Sequence, residues 1–128
     1  MSRVEEAWSR GNIAALLLMD VKGAFDHVSK KRLQRRMQEI GIDSNLISWV
    51  GSFLSDRKLQ LVIDGHCEAE RQVCTGVPQG SPVSPILFTI YLRGVFQKVE
   101  NEVDTCQSTS FADDCGFLVE APTVRELA

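Results

Sequence analysis

Asp113 and Asp114 stand side by side, and Asp20 ends an apolar run far earlier in the chain. Adjacent carboxylates repel each other, which costs stability unless a cation is near. If the strands that carry them share one sheet, the three acids can meet in space. Hard oxygen donors of this type suit Mg²⁺, which keeps several waters and takes only a few carboxylates. Two such ions, roughly 3.5–4 Å apart, can clamp the attacking and leaving oxygens of a phosphoryl transfer. Taken singly, an Asp-Asp pair is more often a solvated turn, and an acid after a strand can be a plain end cap. The pattern of elements and the neighbouring motifs have to decide between these readings.

The elements follow from periodicity. Residues 3–9 read as a helix end, stopped near Gly11. The unbroken apolar run Ala14–Met19 predicts a strand buried on both faces. Ser29 can cap a helix with Leu33, Met37 and Ile40 on one face, closed by Gly41. A second helix, capped by Asp43 or Ser44, should turn Leu46, Ile47, Val50, Phe53 and Leu54 inward. Leu59, Leu61 and Ile63 alternate before Asp64-Gly65, a strong hairpin signal, and the return strand falls near Arg71–Cys74. Gly76–Pro82 is a loop by composition. Ser84-Pro85 then starts a helix to about Val99 that is apolar nearly all round and so predicted to be buried. Ser108–Ala112 and Cys115–Val119 read as strands with Asp113-Asp114 at the turn between them. Thr123–Glu126 has the form of a capping box.

Three ordered motifs carry a family resemblance: LLLMDVKGAFD over Leu16–Asp26, GVPQGSPVSPIL over Gly76–Leu87, and FADD over Phe111–Asp114. In these the chain resembles the reverse transcriptases (RNA-directed DNA polymerases) of non-LTR retrotransposons, over nearly its whole length. The resemblance implies an α+β fold, a polymerase palm-like antiparallel sheet with helices packed on one face. It implies that Asp20, Asp113 and Asp114 are the catalytic, metal-binding acids, joined by the backbone carbonyl of Val21. The cofactor implied is a pair of Mg²⁺ ions, with Mn²⁺ as a substitute.

By the same resemblance, Phe25 lies under the sugar of the incoming nucleotide, where its ring leaves no room for a 2′-hydroxyl. Without the motif, Phe25 reads as a core aromatic. Gln79 and Gly80 match the loop that touches nucleotide and template; glycine allows close backbone approach, and glutamine offers donor and acceptor. Lys30, Lys31, Arg32, Arg35 and Arg36 form a basic cluster that could follow a nucleic-acid backbone, although a solvated helix face explains it more simply. Asp26 is expected to be structural. The partners implied are an RNA template, a DNA primer and deoxynucleoside triphosphates.

Composition bears on how much of such an enzyme is present. Net charge is −3 over 128 residues, whereas a nucleic-acid enzyme normally carries a basic surface. The expectation is therefore a partial reverse transcriptase domain over 1–128, a palm core with fingers and thumb largely absent. Neither apolar run is long enough for a membrane span, and no secretory signal is visible, so an intracellular protein of nucleus or cytoplasm is expected. Cys67, Cys74, Cys106 and Cys115 form no CxxC pair; they read as small hydrophobes and not as a zinc site or disulfides. Two other readings differ in class. A catalytically inactive remnant acting as an interaction module would show damage to the three acids, and none is seen. A nuclease would have no use for the GVPQGSP loop or for a sugar gate at Phe25.

Overall fold

The computed structural model describes residues 3–111 and 114–127. They divide into two compact units, Gly23–Tyr91 and Met1–Lys22 with Leu92–Ala128. Among the described residues, no helix is long and apolar enough to cross a membrane.

The second of these units is built on a three-stranded antiparallel sheet. Helix α1 (Arg3–Ser9) leads into strand β1 (Ile13–Asp20) through Gly11, whose φ of +76° lets the chain reverse. The sheet order is β1, then β7 (Asp114–Ala121), then β6 (Gln107–Phe111). Strand β1 pairs with β7 from Ile13↔Ala121 to Asp20↔Asp114. Strand β6 pairs with β7 from Gln107↔Leu118 to Phe111↔Asp114. Buried Cys106, Cys115 and Phe117 form the core, with Val21, Leu92, Phe96, Val99 and Val119 packed against it. The rings of Phe96 and Phe117 meet edge to face at 5.8 Å. Helix α5 (Val124–Leu127) follows β7. The predicted box at its start differs in detail, because the Thr123 hydroxyl donates to the Glu126 carboxylate at 2.8 Å.

Two burial expectations fail here. The apolar run of β1 is not buried on both faces: Leu16, Leu17, Leu18 and Met19 are all exposed, Leu18 by 72%. Burial on both faces needs a strand on each side and a layer above and below, and among the described residues β1 has β7 alone as strand neighbour. Helix α4 (Ser84–Glu102) likewise buries only Ser84, Leu87 and Phe88, while Ile86 and Val95 are exposed. An apolar run states a preference for burial; the layers present decide how much is met.

The unit Gly23–Tyr91 holds helices α2 (Lys30–Glu39) and α3 (Ser44–Phe53). Leu33 and Met37 are the buried face of α2. Ser29 occupies the N-cap position without a side-chain cap bond. The helix ends in a Schellman motif: Ile42 N donates to Met37 O and Gly41 N to Gln38 O, each at 3.0 Å, with Gly41 at φ +80°. Asp43 caps α3 by accepting from Asn45 N at 2.9 Å. Ile47, Val50 and Leu54 are buried as predicted, but Leu46 is exposed. Strands β2 (Arg57–Leu59) and β5 (Arg71–Val73) pair, as do β3 (Val62–Ile63) and β4 (His66–Cys67). At the tip, Asp64 and Gly65 both have positive φ, 50° and 80°, the form a two-residue type I′ turn requires.

Candidate active site

The register of β1 and β7 sets Asp20 opposite Asp114. Successive strand residues alternate between faces. Cys115, Phe117 and Val119 face the α4 residues Leu92, Phe96 and Val99. Asp114, Gly116 and Leu118 therefore lie on the other face, with their partners Asp20, Leu18 and Leu16. Both carboxylates are exposed, at one end of the sheet and on one face. Asp114 is not in the turn, as predicted, but is the first residue of β7, paired with both Asp20 and Phe111. Asp113 lies outside the described residues. Among the described residues no three His, Cys, Asp or Glu converge on one point.

Two carboxylates opposed across antiparallel strands are destabilising when nothing compensates them. As a donor set they are hard oxygens open to solvent, which fits an ion such as Mg²⁺ that keeps part of its water shell. Asp20, Asp114 and a third acid could hold such an ion. Val21, the residue just after β1, packs its side chain against the core cluster, so only its backbone is on offer to a ligand.

The other predicted site residues belong to the unit Gly23–Tyr91. Phe25 is half-buried, its ring 5.3 Å from that of Phe88 and tilted by 56°. The loop from Thr75 is tied to the segment that carries Phe25. Val77 N donates to Phe25 O at 2.8 Å, and Gly76 N to Val28 O at 2.9 Å. Gln79 Nε2 donates to Asp26 Oδ1 at 3.4 Å, and both side chains are exposed. Gly80 is exposed at φ +85°. The Ser84 hydroxyl, expected to cap α4, instead donates back to Pro78 O at 2.5 Å and is buried.

Two contributors to this arrangement escaped sequence reasoning. Gly76 has φ +79°, and a Cβ there would lie 2.8 Å from Asp26 Cα, Asp26 O and Phe25 O. Its place at the head of the GVPQGSP loop was a signal, but its neighbour could not be read. Arg57 Nη2 donates to Thr75 O at 2.6 Å and Gly76 O at 2.9 Å, bracing the loop from β2. No local pattern marks Arg57.

The basic cluster is partly spent on local partners. Arg35 and Arg36 both pair with Glu39, at 3.0 and 2.6 Å, and these pairs hold the Glu39 carboxyl below the usual range. Lys30 Nζ donates to Ser55 Oγ. Lys31 and Arg32 are exposed. At the far end of β1 and β7 from the acids, Arg10 pairs with Glu120 at 2.8 Å. Arg10 and Asn12 hydrogen bonds lower the Glu120 carboxyl below its ordinary value.

Residues 2–126 match the family model described as reverse transcriptase (RNA-dependent DNA polymerase). The chain belongs to the reverse transcriptase family. Its relatives place it with the enzymes of non-LTR retrotransposons. It is 30% identical over 117 residues to a Pol polyprotein of the type-1 retrotransposable element R2 from Popillia japonica, covering 85% of this chain and 19% of that protein. It is 32% identical over 126 residues to a putative 115 kDa protein in type-1 retrotransposable element R1DM from Drosophila melanogaster, covering 91% and 12%. It is 25% identical over 122 residues to the RNA-directed DNA polymerase from mobile element jockey of the same fly, covering 93% and 13%. This reverse transcriptase sequence thus spans between 12% and 19% of the length of these three curated relatives.

Proposed function

We propose that these residues form the palm core of a longer RNA-directed DNA polymerase, with Asp20, Asp113 and Asp114 as its metal-binding acids. The observation that carries the reading is the Asp20↔Asp114 register on an open face of the sheet. Divalent ions held there, Mg²⁺ or Mn²⁺, would lower the pKa of a primer 3′-hydroxyl and compensate charge on the triphosphate. The 3′-oxygen then attacks the α-phosphorus of a deoxynucleotide, and pyrophosphate leaves. The chain's own part is positioning. Asp20 and Asp114 fix the point on which the reacting phosphate is centred. Val21 adds its backbone carbonyl at that point. Phe25, held by Phe88 and by the backbone hydrogen bond from Val77, presents a ring to the sugar and excludes a 2′-hydroxyl. Gln79 and Gly80 meet nucleotide and template. Lys31 and Arg32, more than the paired Arg35 and Arg36, are the cations left for an RNA or DNA backbone.

The test is primer extension on an RNA template with deoxynucleotides and Mg²⁺, in a full-length polymerase carrying these residues. Asp20→Asn, Asp113→Asn and Asp114→Asn are each expected to lower the rate by about 10²-fold or more, with template–primer binding retained. Extension close to the wild-type rate in any of the three removes that acid from the centre.

A further inference from the structure

Gly116 is the third residue of the central strand, two pairs inward from Asp20↔Asp114 and on the same face as the carboxylates. It is opposite Leu18 of β1 and Thr109 of β6. Glycine weakens a strand interior, so a strand glycine commonly marks a close approach. No turn or positive φ calls for it here. What calls for it is space. A Cβ at this position would lie 2.9 Å from Thr109 Cγ2, 3.5 Å from Leu18 Cδ2 and 3.9 Å from Leu16 Cδ1. Side chains from both flanking strands have closed over the central one and fill the volume that a side chain at 116 would take. The closest of them belongs to a β-branched residue, which is stiff at χ1.

We propose that Gly116 is a positioning residue for the carboxylate pair. Its missing Cβ lets β1 and β6 pack over β7 just inward of the acids, and this sets how Asp20 is presented to Asp114. A methyl group at 116 pushes first on Thr109 and then on Leu18, which is two residues from Asp20 on the same face. The strand end that carries Asp20 is displaced, and the two carboxylates no longer share one cation in the same geometry. The proposal rests on the reading of Asp20 and Asp114 as cation ligands.

The experiment is a Mn²⁺ titration of the 128-residue chain at fixed pH, read by paramagnetic broadening of backbone amide signals near Asp20 and Asp114. Circular dichroism and the amide spectrum report folding. Gly116→Ala is expected to raise the Mn²⁺ dissociation constant about tenfold or more. Thr109→Ser, which removes the Cγ2 methyl, is expected to bind like wild type. The double variant Gly116→Ala/Thr109→Ser is expected to recover binding to within about twofold, a rescue that general loss of strand stability would not produce. A folded Gly116→Ala chain that binds like wild type overturns the positioning role and leaves the cation reading standing. Wild-type broadening that is absent, or unchanged by Asp20→Asn, overturns the cation reading and the positioning role with it. Should Gly116→Ala fail to fold, the double variant decides: wild-type affinity supports the role, and a folded double variant that has lost it overturns the role.

Discussion

Asp114→Asn removes one of two charges that the strand register sets face to face. Opposed residues in an antiparallel pair have Cβ atoms about 4.5–5.5 Å apart. Unit charges about 5 Å apart repel by about 0.8 kcal/mol in bulk water and about 3.3 kcal/mol at an effective dielectric of about 20. Both carboxylates are exposed, so the lower limit governs, and the relief is about 1 kcal/mol. For a chain of this size that raises Tm by about 3–5 °C. The variant should therefore be more stable than wild type in EDTA, and the gain should shrink in 0.5 M KCl as salt screens the pair. Divalent cation should reverse the order. At ten times its Kd, Mn²⁺ would stabilise wild type by about 1.4 kcal/mol, while the variant, short of one ligand, should gain far less. Thermal melts of both chains in EDTA and in Mn²⁺ measure all of this. An Asp114→Asn chain less stable than wild type in EDTA would refute the reasoning, since it would mean that the fold already satisfies this carboxylate.

Gly76→Ala should destabilise the unit Gly23–Tyr91 by about 2–4 kcal/mol, from left-handed backbone strain and overpacking against main-chain atoms that cannot rotate away; urea unfolding measures it. Phe25→Val, in a full-length polymerase, should raise ribonucleotide use relative to deoxynucleotide use, and unchanged discrimination would leave Phe25 a core aromatic against Phe88. Glu120 has a depressed carboxyl in the folded chain. Its contribution is therefore present above the ordinary glutamate range and lost as pH falls through the lowered value. Glu120→Gln should melt below wild type at neutral pH, and the gap should close in acid, as melting curves across that window would show.

What could be read directly from the chain was chemistry with local causes. The turn at Asp64-Gly65, the stop at Gly41 and the cap at Asp43 each depend on a few neighbouring residues and their φ preferences, and each is found where predicted. The three motifs were likewise legible as ordered strings, and the family they suggested is the one the chain belongs to. Burial was less legible. The apolar run of β1 and the all-round apolar α4 predicted enclosure, yet Leu18 and Ile86 are exposed, because enclosure depends on which layers are present and not on the run itself. The geometry of the site was legible only as a condition, that strands sharing one sheet would bring the acids together. That Asp114 starts a strand and faces Asp20 follows from a register between segments far apart in sequence, and a one-residue slip would have put the carboxylates on opposite faces. The need for glycine at 76 and 116, and the brace from Arg57, have the same origin. Each is set by atoms that only the folded chain brings within contact distance.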